Sequence, residues 1–227
     1  MQYSNVVPGR FVSRPNRFLA QVETADGVQT CHVKNTGRCA ELLLPGAPVW
    51  LQRFGADAKR KTKFDLIAVQ KGALLLNIDS QAPNAAAREF LASGGLGWIP
   101  SVLRPEYTWG DSRFDFYLEH GGRRCLAEVK GVTLEEGGHA RFPDAPTERG
   151  VRHLGELERA AAEGLGATAF FVIQMEGMKD FAPNDVTHPA FGEALRHAAE
   201  SGVRAEAWEC AVTPESLRIV RPVKVRL

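Results

Sequence analysis

Ser112-Arg113-Phe114-Asp115-Phe116-Tyr117-Leu118-Glu119, His120-Gly121-Gly122-Arg123-Arg124 and Cys125-Leu126-Ala127-Glu128-Val129-Lys130 form one continuous stretch, and its reading decides the fold. Both arms have strand composition, and Gly121-Gly122 between them is a two-residue hairpin signal, because such turns need positive φ at both central positions. With that turn, residues whose numbers sum to 243 face one another, so Asp115 falls opposite Glu128 at about 5 Å between Cβ atoms. Lys130, two residues beyond Glu128, emerges on the same face of its strand.

Two readings of this pattern stay open. Like charges directly opposite are unfavourable unless something positive lies between them, and carboxylates suit magnesium or manganese. Alternatively, Arg113 faces Lys130 in the same register, and the diagonal pairs Arg113–Glu128 and Asp115–Lys130 make a surface salt-bridge ladder. Such a ladder contributes little, about 0–1 kcal/mol per exposed pair. The apolar Phe114, Phe116, Leu126 and Val129 around the charges favour strands covered on at least one side, where an idle charge cluster is expensive.

The composition frames these readings. The chain has 227 residues, 44% hydrophobic and 24% charged, which excludes disorder and leaves room for one large domain or two small ones. No apolar run approaches the roughly 20 residues of a membrane span, and the N-terminus lacks the pattern of a secretory signal. The four cysteines are scattered without a CxxC pair, so they read as buried thiols in a reducing cytoplasm, and the six histidines show no metal-ligand spacing. The net charge of +1 conceals an asymmetry. The first 80 residues carry 11 Lys and Arg against 6 Asp and Glu, a balance of +5, and the remainder carries 17 against 21, or −4. A basic module beside an acidic one suits polyanion binding next to metal-carboxylate chemistry.

Residues 1–80 read as five short strands, at 17–23, 28–33, 49–54, 64–70 and 73–78, with a helical turn near 40–44. That is the inventory of an OB-fold-like β-barrel. Lys59, Arg60, Lys61 and Lys63 lie between the third and fourth strands, close after Arg53 and Phe54, where OB-folds meet nucleic-acid backbone. Together with Arg17, Lys34 and Arg38 they are the candidate phosphate contacts of the barrel; a solvated hairpin tip is the plainer alternative. Residues 81–227 read as a helix at 85–92, a three-strand meander, a helix beginning near Asp144 and Pro146, a central apolar strand at 167–174, a helix at 189–201 and a strand at 203–210. On the second helix, Val151, Leu154, Leu157 and Ala161 mark the packed side, leaving Arg149, Arg152, His153 and Arg159 on the other. The tail after Pro222 is an edge strand or an irregular ending. The outcome is an α+β or α/β domain with a mixed sheet flanked by helices.

This element order, with Asp115 on one strand and Glu128-Val129-Lys130 on the next, resembles the core of the PD-(D/E)xK nucleases, although Phe114 stands where many of them have proline. A longer resemblance runs along nearly the whole chain. Asn16-Arg17-Phe18-Leu19-Ala20, Asn35-Thr36-Gly37-Arg38, Pro45-Gly46, Ser112 to Phe116, Glu128 to Leu134, Phe142-Pro143-Asp144-Ala145, Thr147-Glu148-Arg149-Gly150 and His153-Leu154 resemble, in order, the sugar fermentation stimulation protein A family. The resemblance implies a prokaryotic cytoplasmic protein with an OB-fold domain, a PD-(D/E)xK nuclease-like domain, DNA binding and a role in regulating sugar-catabolic genes. It further implies that Asp115 and Glu128 with the Val129 carbonyl would hold Mg or Mn, without an organic cofactor, and that Lys130 would orient a water for phosphodiester hydrolysis. Glu89 is similar to an additional acidic ligand of related nucleases, or is an exposed helix residue, and Arg113, Arg141 and Arg149 would grip flanking phosphates. DNA binding without catalysis and metal-dependent DNA cleavage are the two functions expected, with a charged-hairpin protein scaffold as a third.

Overall fold

The structure, a computed structural model, describes all residues except 36, 38 and 56–58. Six strands come first: β1 (Val6–Asn16), β2 (Leu19–Thr24), β3 (Gly27–Val33), β4 (Pro48–Arg53), β5 (Phe64–Lys71) and β6 (Leu74–Asn77). Their order is β3-β2-β1-β4-β5-β6, and a parallel pairing of β3 with β5, Cys31↔Phe64 to Val33↔Leu66, closes five of them into a barrel. That is an OB-fold, with one correction to its strand list. The long β1 was not expected, and β6 is an antiparallel addition to β5 rather than a barrel stave. β1 hides because Pro8, Gly9 and Pro15 interrupt it and Phe11 is its single buried residue. Gly9 is required there. A Cβ would sit 2.5 Å from Val22 Cγ1 and 2.8 Å from the Glu23 carbonyl, so only glycine lets β1 and β2 approach.

The second part contains α1 (Ala82–Ala92), β7 (Val102–Trp109), β8 (Ser112–His120), β9 (Arg123–Val132), β10 (Leu134–Glu136), β11 (His139–Phe142), α2 (Glu148–Ala162), β12 (Gly166–Ile173), β13 (Asp180–Pro183), α3 (Pro189–Glu200), β14 (Arg204–Thr213) and β15 (Ser216–Val223). Its six-stranded sheet has the order β15-β14-β12-β9-β8-β7, with β9, β12 and β14 parallel and the outer strands antiparallel. α1 lies on one face, and α2 with α3 on the other. β12, buried along most of its length, is the central strand that its apolar run requires. β15 carries Pro222 at the sheet edge, where a missing N–H costs least. β10, β11 and β13 form a small second sheet over what the sequence presents as a polar loop. α2 starts at Thr147, whose hydroxyl accepts from the Gly150 N–H at 3.1 Å, and not at Asp144 or Pro146.

The two parts share their packing. Ile67 and Ala68 of β5 cluster with Ala86, Leu91 and Phe170 across the junction. A buried polar network also crosses it. Gln174 donates from Nε2 to the Asn77 carbonyl (3.0 Å), Asn77 Oδ1 (2.9 Å) and the Asp79 carbonyl (3.2 Å), and Asn77 Nδ2 donates to the Tyr3 hydroxyl at 2.9 Å. Buried polar groups so fully paired fix one relative placement of the parts. Gly37 adds a third contact, since a Cβ would fall 2.0 Å from Asp144 Oδ2; the loop after β3 therefore seats directly on the segment before α2.

Candidate metal and nucleic-acid site

The β8–β9 ladder obeys the 243 rule from His120↔Arg123 to Phe116↔Ala127 and then stops. Beyond that point the Asp115 carboxylate takes the ladder's place. Its Oδ2 accepts from the Val129 N–H at 2.7 Å, and its Oδ1 accepts from Asn84 Nδ2, in the first turn of α1, at 2.6 Å. Glu128 is buried at 4% exposure. Lys130 Nζ donates to its Oε1 at 2.6 Å, and His153 Nδ1, from α2, meets the same oxygen. The other oxygen, Oε2, is buried without a hydrogen-bond partner among the described residues. Arg149 Nε donates to His153 Nε2 at 3.3 Å, so the ring bridges Arg149 and Glu128.

The two carboxylates are driven apart electrostatically. Burial and then the charge of Glu128 raise the Asp115 pKa, against the hydrogen bonds from Val129 and Asn84. Burial also pushes Glu128 upward, but His153 and Lys130 together outweigh it and hold its carboxyl below the usual range. One acid is thus held ionised while its neighbour resists ionisation, a pairing typical of sites that receive a cation. Among the described residues no three acidic, histidine or cysteine side chains converge tightly enough to cage a metal unaided. Two carboxylates with an orphaned oxygen nevertheless fit magnesium, which keeps several waters of its own.

The other expected residues fall into place differently. Glu89 is corrected. It is exposed and pairs with the Met1 ammonium at 2.6 Å, while Asn84 is the α1 residue that meets Asp115. Arg149 is exposed and touches His153. Arg113 is exposed and lies 3.6 Å from Glu106. Arg141 reaches Asp180 at 3.2 Å, where His139 (2.8 Å) and Arg226 (2.7 Å) converge as well, so its charge is largely internal. In the barrel, Lys34 is mostly buried and spans Asp79 (2.5 Å) and Asp65 (3.4 Å), and Arg60 pairs with Asp65 while stacking over Phe54. Both serve first as counter-ions to two buried carboxylates. Arg53 pairs with Asp26 at 3.6 Å and covers Phe64, and Arg17 lies 5.0 Å over Phe18. Lys59, Lys61 and Lys63 are exposed and enter no ion pair among the described residues. Arg38 lies outside the described residues.

Sequence reasoning missed Asn84 and placed His153 on the wrong side of its helix. The buried residues of α2 are Gly150, His153, Leu154, Glu156, Leu157 and Ala160. Counting from Gly150 rather than Val151 rotates the stripe enough to bring His153 inside. Asn84 carries no charge and no motif, and gave no signal.

An OB barrel joined to a mixed-sheet domain that brings two carboxylates and a lysine together on adjacent strands defines a two-domain class. Within that class the chain belongs to the sugar fermentation stimulation protein family. Residues 12–78 match the SfsA N-terminal OB domain, and residues 81–216 match the sugar fermentation stimulation protein RE domain. A sugar fermentation stimulation protein homolog of Desulfitobacterium hafniense is 52% identical over 228 residues, covering 100% of this chain and 99% of its own. Another from Clostridium beijerinckii is 48% identical, covering 96% of each. The structure of Pyrococcus furiosus SfsA in complex with Ca2+ superimposes with a TM-score of 0.90 at 26% identity, over 100% of this chain and 98% of that one.

Proposed function

We propose that the protein binds DNA with low base specificity through the exposed lysines of its barrel, and that Asp115, Glu128 and Lys130 form a divalent-cation site for phosphodiester hydrolysis. The observation that carries the second part is Glu128 Oε2, a buried carboxylate oxygen left without a partner among the described residues, beside a second carboxylate. A buried unpaired acceptor is costly, and a cation removes the cost. The Ca2+ bound by the Pyrococcus furiosus relative supports a hard, oxygen-seeking ion, here Mg or Mn.

Asp115 and Glu128 would hold the ion, with His153 fixing Glu128 Oε1 so that Oε2 stays free. Bound there, magnesium or manganese supplies a water of lowered pKa and positive charge opposite the attacked phosphate. Lys130 donates to the carboxylate now and would donate to a phosphate oxygen or to the attacking water when DNA is present. Low base specificity follows from helices that all pack on the central sheet, which leaves recognition, including any at sugar-catabolic genes, to phosphate contacts and duplex shape. A second reading, binding without cleavage, is favoured by the lack of a third acidic ligand among the described residues.

Labelled linear, nicked and single-stranded DNA incubated with EDTA, magnesium or manganese separates the two. Binding is expected in EDTA, and cleavage only with metal. Lys130→Ala, Asp115→Ala and Glu128→Ala should each slow cleavage by about 100-fold or more with affinity nearly unchanged. Metal-independent cleavage, or cleavage that survives in Glu128→Ala, sinks the hydrolytic assignment; no retention of any DNA at low salt sinks both.

A further inference from the structure

α1 ends at Ala92, and beyond it Leu96 and Trp98 pack on the same side of the sheet as α1. Trp98 overhangs there, with its ring stacked on His120 at 4.9 Å and 27°, and His120 Nδ1 is held 3.0 Å from the Ile99 carbonyl. Beneath them opens a cavity of about 400 Å³ lined by Trp98, His120, Gly121, Arg123, Cys125 and Arg204. Its floor continues inward between Leu91, Leu118 and Phe170.

This cavity is distinct from the carboxylate site. Cys125 pairs with Leu118 and packs with the α1 side of the sheet, whereas Glu128 meets His153 of α2 on the other side. Among the described residues no acidic one lines it. Arg123 enters no ion pair among the described residues, and Arg204 lies 3.7 Å from Glu206, an exposed contact too loose to satisfy it. Both cations act on the Cys125 thiol, pulling its pKa down against the larger upward push of burial, which places two positive charges at the mouth of an apolar slot. Gly166 preserves the slot, since a Cβ would lie 2.6 Å from Cys125 Sγ.

A concave, mostly apolar space of this size with a few convergent polar groups is the usual form of a small-molecule site. Its chemistry selects the occupant. The stacked Trp98–His120 pair offers a flat wall for a ring, and guanidinium groups bind carboxylates in planar, two-point fashion. We propose that this cavity binds a small aromatic carboxylate, its ring lying against Trp98 and its anionic group held by Arg123 and Arg204.

Cys125 is a built-in reporter. The other three cysteines are 0–2% exposed, so a neutral disulfide reagent such as 4,4′-dithiodipyridine reads Cys125 on the intact chain. 2-Naphthoate is expected to slow this labelling saturably, and to quench Trp98 fluorescence over the same range. The uncharged 2-naphthamide, and the Arg123→Gln/Arg204→Gln variant, should each need at least about tenfold higher ligand concentration, because a charge-assisted contact is lost. Both arginines are exposed, so the variant should keep the wild-type melting temperature. Unchanged labelling at about 10 mM naphthoate, a very weak affinity, overturns the proposal. So does equal protection by the amide or in the double variant.

Discussion

At Glu128, burial and ionisation oppose each other, and the neighbours decide the outcome. Lys130 and His153 both bond Oε1, so the folded protein holds the carboxyl below its usual pKa. A depressed carboxylate contributes stability that is present above its unfolded pKa and lost as pH falls through the folded one. Asp115 has the opposite sign. Burial and the Glu128 charge raise its pKa, so its contribution is present in acid and is lost as pH rises through the folded value. Glu128→Gln should therefore cost about 2–3 kcal/mol at neutral pH, because it leaves partly buried Lys130 and buried His153 without their anion. For a chain of this size that is a fall of roughly 5–10 °C in melting temperature. The deficit should shrink as pH falls below the ordinary glutamate value of 4.5 and through the lower folded one, where the wild-type carboxyl is protonated too. Thermal melts across that range test it; a deficit constant with pH would mean that the ion pairs are not what Glu128 contributes.

Among the elements, legibility followed how local the signal was. The β8–β9 hairpin was readable because Gly121 and Gly122 fix its register, and both take positive φ, at 55° and 77°. β12 was readable from its apolar run, and α1 and α3 from their helix formers. β1 was not, because a strand seated by a glycine contact and one buried phenylalanine shows no alternation. Nor was the β10-β11-β13 sheet, whose strands have three or four residues and whose ion cluster draws on His139, Arg141, Asp180 and Arg226 from distant positions. The same limit applies at the site. Asp115, Glu128 and Lys130 were visible as a local pattern; Asn84 and His153 reach it from separate helices. The helix start that places His153 can be tested. Thr147→Ala removes the side chain that caps Gly150 and should cost about 1 kcal/mol in urea unfolding, whereas Thr147→Asp should restore most of it. At Gly131 on β9, a Cβ would meet Gln174 Oε1 at 2.5 Å and Pro83 Cγ at 2.7 Å. Gly131→Ala should accordingly cost about 1–3 kcal/mol, since the ring of Pro83 cannot yield as a flexible side chain would. An unchanged urea midpoint would show that α1 is not pressed against β9 there.

For the molecule as a whole, net charge is a poor guide to what DNA would meet. The barrel's excess of +5 includes Lys34 and Arg60, which neutralise buried Asp65 and Asp79, and Arg53, which pairs with Asp26. Lys59, Lys61 and Lys63 remain as exposed cations in one loop. Each lysine that neutralises a duplex phosphate adds about 0.9 to the slope of log affinity against log salt. Replacing all three by alanine should therefore flatten that slope by about 2–3 and weaken binding at low salt without lowering the melting temperature. Lys34→Ala should do the reverse. It leaves Asp65 and Asp79 short of a counter-ion inside the barrel, so it should destabilise by about 2–3 kcal/mol while the salt slope stays within error. Anisotropy titrations with one labelled duplex across a salt series, run beside thermal melts of the same preparations, measure both quantities. If Lys34→Ala flattens the slope as much as the triple replacement, Lys34 meets phosphate rather than the buried pair, and the binding face lies across the mouth of the Asp65–Asp79 cluster.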